Sequence, residues 1–323
     1  MGVSSMFYDD RGKTYGQDAR ATQNSSHTTP QHCDLYQYIV GIIVLRFICR
    51  PPFSMLSHPS TMLLASRPFG TSGNPPLIIL HGLLGSSRNW AGAGKLLASK
   101  WDATALDLRN HGDSPHAADA SYISMATDVV EWLNAHQLPS VTLLGHSLGG
   151  KVAMRVACSH PARVAALIIE DIAPRDYSSR WVNEFAAMRS IDLDTLSSRQ
   201  EAEDALATTV PDWGFRKFLI SNLTRDPLSG KFRWQCNLDV LAAALPELFK
   251  TSLEPGDHYA GPALVLRGSD SNYMRDTDTP RLLHHFPNMQ LKTIDRSGHN
   301  LHTEQPAAFV SAITTWATER AIS

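Results

Sequence analysis

Cysteine is scarce: Cys33, Cys49, Cys158 and Cys236 are spread over 323 positions, and no two form a C-x-x-C pair. That spacing supports neither a disulfide framework nor a zinc cluster, and it suits a reducing compartment, either the cytoplasm or, in a eukaryote, the mitochondrial matrix. A basic excess is also missing, since 29 Lys and Arg face 31 Asp and Glu. Phosphate backbones recruit proteins through such an excess, so nucleic acid is not an expected partner. Long apolar runs are lacking as well. The stretch from Leu35 to Cys49 contains Arg46 and falls short of the roughly 20 residues that cross a bilayer. No stable membrane span is expected.

What is present is enough apolar material for a sizeable core, with 43% of residues hydrophobic and 19% charged. Residues 1–61 are mostly polar and irregular and read as a poorly structured N-terminal extension. From residue 62 onward, short apolar runs alternate with helical patterns. Leu77 to His81 reads as a buried strand, residues 102–107 as a second, Val141 to Leu144 as a third and Val164 to Ile169 as a fourth. Ser121 is an N-cap candidate before Ile123, Met125, Val129, Val130 and Leu133, and Lys151 to His160 reads as the next helix. Strands resume at Ala263 to Leu266 and Gln290 to Ile294, and a helix from about Pro306 closes the pattern. Such alternation implies an α/β fold with parallel pairing. Residues 175–258 read as a mostly helical insertion, so the core is expected over 62–174 and 259–323.

Chemistry-bearing residues gather at the expected strand ends. Gly145-His146-Ser147-Leu148-Gly149 is a G-x-S-x-G directly between a strand and a helix. A sharp turn there would strain the serine backbone, and only glycines two positions away would let the flanking chains pass. Ser147 is therefore the candidate nucleophile, and the Leu148 N–H at the helix start a candidate oxyanion donor. His81-Gly82-Leu83 follows the first buried strand and offers the Leu83 N–H as a second donor. Ser297-Gly298-His299 lies near the C-terminus, where the general base of a Ser, Asp, His chain order belongs, with His302 as a nearby competitor. His284 and His285 read as surface residues of a helix. Asp107, Arg109 and His111 read as a structural network bracing the His81 loop.

These motifs, with Asp107-Leu-Arg-Asn-His-Gly-Asp-Ser114, resemble those of α/β-hydrolases over about residues 62–320. Gly85-Ser-Ser-Arg-Asn-Trp90 and Asp171-Ile-Ala-Pro174 resemble a narrower group, the small bacterial esterases and the mitochondrial α/β-hydrolase domain-containing protein eleven group. The resemblance implies a mostly parallel sheet of about eight strands with helices on both faces and a helical lid at residues 175–258. It implies a triad acid at Asp171, after the fourth strand. The more common hydrolase layout implies instead Asp270, and Asp239 in the insertion is a third option. The resemblance also implies a serine esterase or thioesterase acting on small-molecule esters of apolar acyl groups, without a metal or organic cofactor. Two alternatives share the site: acyl transfer to an alcohol, and a slow-turnover ligand-binding protein of the same fold.

Overall fold

The computed structural model describes residues 62–70, 73–178 and 181–322; the extension expected over 1–61 lies outside them. The first strands are β1 (Ser66–Pro68), β2 (Pro76–Leu80) and β3 (Asp102–Leu106), with helix α1 (Ala91–Leu97) between the last two. Helix α2 (Tyr122–Ala135), β4 (Val141–His146), α3 (Leu148–Ser159) and β5 (Val164–Glu170) follow. After residues 175–258 come β8 (Ala263–Gly268), α8 (Thr279–His285), β9 (Met289–Ile294), α9 (Leu301–Glu304) and α10 (Pro306–Glu319). The intervening segment holds α4 (Val182–Arg189), α5 (Arg199–Leu206), α6 (Trp213–Ile220), the antiparallel pair β6 (Leu223–Arg225) and β7 (Phe232–Trp234), and α7 (Leu238–Leu248).

The main sheet runs β1-β3-β2-β4-β5-β8-β9, parallel except at β1. Among the described residues this sheet has seven strands, against the expected number of about eight. A single three-residue strand precedes β2, and it ends at Pro68, which has no N–H to extend the ladder. The central strands β2, β4 and β5 are apolar runs buried on both faces, as parallel strands under two helical layers must be. One layer combines α2, α3 and the 175–258 segment; α1 and α10 form the other, where Phe309, Ile313 and Trp316 recur at helical spacing against Leu77, Ile79 and Ala105.

Ser121 caps α2, its hydroxyl accepting from Ser124 N at 3.2 Å. Met125, Val129 and Leu133 are fully buried, but Ile123 points outward. His285 corrects the surface reading given to it: it is buried, with Nδ1 donating to the Asp257 carbonyl at 2.7 Å. No described helix is long and apolar enough to cross a membrane.

Candidate active site

Parallel topology brings the carboxyl ends of β2, β4, β5 and β8 to one edge, where binding sites of open α/β sheets form. Ser147 sits between β4 and α3 with φ 51° and ψ −114°, a conformation that L-residues adopt only where surrounding structure enforces it. The enforcement is visible: Ser147 N donates to the Glu170 carbonyl at 3.2 Å, and Gly149 N donates to the His81 carbonyl at 3.0 Å. A Cβ on Gly149 would lie 2.6 Å from the His81 carbonyl oxygen, so only glycine lets α3 start so close to β2.

The His81 loop is fixed from beneath. Burial lowers the pKa of His81, leaving a neutral ring whose Nδ1 donates to the Gly82 carbonyl at 2.8 Å and whose Nε2 accepts from Leu108 N at 3.0 Å. Asp107 accepts from Ser87 N at 2.6 Å and Asp113 N at 2.8 Å, while Arg109 turns away to pair with Asp128 at 2.6 Å. Gly85 N closes a turn on the Gly82 carbonyl at 2.9 Å, which leaves Leu83 beside Ser147. Leu148 is the first residue of α3, so its N–H has no acceptor within the helix.

His299 and Asp171 meet across 128 positions: Nδ1 of the imidazole donates to Asp171 Oδ2 at 2.7 Å. Asp171 is completely buried at the end of β5 with φ 50°. Its carboxylate also accepts from Gly268 N at 3.1 Å and from the Ser271 hydroxyl. Tyr273 lies flat on the His299 ring, centroids 3.6 Å apart. The other two acid candidates are elsewhere. Asp270 is exposed and accepts from Ser269 Oγ at 2.8 Å, and Asp239 is exposed and paired with Arg189 at 2.9 Å. Ser147 and His299 line one cavity, with no hydrogen bond between them among the described residues, a common state of such pairs before substrate binds.

A second, deeper pair flanks the first. Glu170, fully buried, accepts on Oε1 from His302 N at 3.0 Å and from His302 Nδ1 at 2.8 Å. Burial pushes the Glu170 carboxyl up, but the His302 ring and these bonds outweigh it and hold the group below its ordinary range. His302 stacks on Trp90 at 4.1 Å. His146, driven by burial to about 3 and hence neutral, donates from Nε2 to the His299 carbonyl at 2.9 Å. The residues just before Ser147 and Asp171 thus pin the chain around His299.

The cavity over Ser147 has a volume of about 790 Å³. Trp181, Phe215 and Phe218 from the 175–258 segment face Leu83, Trp90 and the histidines across it. Phe185, Met188 and Leu219 of the same segment are instead buried in the core.

A family model described as alpha/beta hydrolase fold matches residues 75–306. The chain belongs to the α/β-hydrolase fold family. The mouse protein named sn-1-specific diacylglycerol lipase ABHD11 is 35% identical over 257 residues, covering 76% of this chain and 82% of the relative. Esterase YbfF of Escherichia coli is 33% identical over 242 residues, covering 74% and 92%. The solved structure of a marine microorganism esterase is 37% identical, with a TM-score of 0.76 over 79% of this chain and 99% of that one.

Within this hydrolase fold, several site residues carry little local sequence signal. Glu170 and His302 meet across 132 positions. Ser271 and Tyr273 carry no motif of their own. A carboxylate directly before the candidate acid, on an otherwise apolar strand, is the one clue that Glu170 offered.

Proposed function

We propose that the protein hydrolyses carboxylic esters or thioesters of apolar acyl groups through an acyl-enzyme on Ser147. His299 Nε2 takes the Ser147 proton as Oγ attacks the carbonyl, and the Leu83 and Leu148 N–H groups hold the oxyanion. The tetrahedral centre then expels the alkoxide or thiolate, which leaves with the proton from His299. Water repeats the sequence to release the acid. Asp171 keeps the His299 proton on Nδ1, so that Nε2 can accept, and stabilises the imidazolium that forms. Residues 62–174 and 259–323 act as the catalytic body, with 175–258 as a lid whose aromatic residues give the cavity an apolar wall.

The observation that carries this reading is the strained Ser147 sharing a cavity with a histidine bound through Nδ1 to a buried aspartate. The relatives named esterase and lipase support ester cleavage. The test is turnover of nitrophenyl esters and acyl-CoA thioesters by the wild type and Ser147→Ala, with products analysed in the presence and absence of an added alcohol. Acid release that disappears in Ser147→Ala supports the reading, and ester formation from the alcohol would recast the protein as an acyltransferase. Wild-type rates in Ser147→Ala would refute it.

A further inference from the structure

A second cavity, of about 40 Å³, also reaches Ser147 and shares Leu83, Trp181 and Tyr273 with the large one. The two differ in a way that bears on which end of an ester each receives. A leaving group must take its proton from His299, so it departs on the His299 side of the reacting carbon, while the acyl substituent points away. His299, Asn300 and Thr303 line the large cavity; among the described residues the small cavity is lined by Ser147, Leu83 and Leu148 but not by His299. Building on the serine esterase reading, we infer that the small cavity is the acyl pocket, and that the enzyme takes esters or thioesters of short acyl groups with bulky apolar leaving groups.

Size sets the limit. At about 40 Å³ against about 790 Å³, the small cavity has far less room for a chain than the large one. The large cavity, at about 790 Å³, has the size of a site for a drug-sized group. Several side chains that line the small pocket are tied by hydrogen bonds. Lys151 Nζ donates to the carbonyls of Leu248, at 3.5 Å, and Lys250, and stands 4.8 Å from the centre of the Tyr177 ring. The Tyr177 hydroxyl donates to the Tyr273 carbonyl at 2.8 Å, and that of Tyr122 to the Leu248 carbonyl. A longer chain pushing between these side chains would strip those donors of their partners. Leu248, Ile172 and Phe249 complete the sides.

Octyl acetate and ethyl octanoate test this directly, being isomers of equal hydrophobicity with the long chain on opposite sides of the carbonyl. The expected result is a kcat/KM about 100-fold or more higher for octyl acetate, because each excluded methylene costs up to that order in discrimination. Leu248→Ala, which widens the pocket from a residue outside the reacting groups, should narrow the gap by about tenfold. Equal or better turnover of ethyl octanoate by the wild type overturns the pocket assignment while leaving the serine mechanism intact. So does a failure to cleave either ester when a fluorophosphonate still labels Ser147. No cleavage and no labelling would sink the serine esterase reading itself. If Leu248→Ala does not fold, the wild-type isomer pair still decides.

Discussion

Replacing Asp171 with asparagine tests the arrangement around His299 most severely, because the amide can be seated in two ways. With its oxygen toward His299 and Ser271, its NH2 group would face Gly268 N, setting two buried donors against each other at a cost of about 1–3 kcal/mol. With the oxygen toward Gly268 N instead, the NH2 group can donate to Ser271 Oγ and to His299 Nδ1, and every group is satisfied. That second arrangement moves the imidazole proton to Nε2, where the ring can no longer accept from Ser147. The lost carboxylate charge, which would have stabilised the imidazolium, adds to the penalty. Together these place the expected loss in kcat/KM at about 10³- to 10⁴-fold, or roughly 4–5.5 kcal/mol, with the protein still folded. Asp270→Asn should stay within about twofold of wild type, because Asp270 is exposed and accepts from Ser269 beside it. Initial rates on nitrophenyl acetate, with circular dichroism to verify folding, decide the matter. Near-normal activity in Asp171→Asn together with a collapse in Asp270→Asn would refute the reasoning.

Three other outcomes are expected. Gly149→Ala forces a Cβ against the His81 carbonyl and should cost about 1–3 kcal/mol in urea denaturation together with most of the activity. Glu170→Gln removes the buried charge that holds His302, so stability should fall by about 1.5–3 kcal/mol. Its kcat should drop with KM nearly unchanged, since Glu170 lies behind the histidines and not against substrate. Lys151, driven down by burial to about 7 from its ordinary 10.5, binds fewer protons folded than unfolded between those values. Its contribution to stability is therefore full above about 10.5 and is lost as pH falls toward 7. Urea midpoints of wild type relative to Lys151→Met should accordingly rise with pH across that window; a flat difference would show that Lys151 titrates normally.

Much of this architecture is legible in the chain itself. Apolar runs too short for helices, each ending at Gly, His or Glu, mark β2, β4 and β5, and Gly149 after Ser147 is explained by the close approach of α3 to β2. The β6–β7 pair is less readable, because three-residue strands give alternation no room to register. His285 misleads for a different reason. Its neighbour His284 is exposed, and one helical step turns His285 inward to the Asp257 carbonyl. The acid illustrates the deeper limit. Asp171 and Asp270 each follow a strand of the same sheet, and spacing alone favours neither. The fold separates them by burying one under the Gly268 amide and His299 while leaving the other in solvent, a difference that depends on contacts between residues about a hundred positions apart.

The central claim, a covalent acyl-enzyme on Ser147, is tested most directly by quenching the protein in acid during turnover of nitrophenyl acetate and measuring intact and peptide masses. The account predicts an acetyl adduct on the peptide containing Ser147, accumulating in wild type and absent from Ser147→Ala. An unmodified Ser147 peptide at every quench time, together with undiminished turnover in Ser147→Ala, would contradict it.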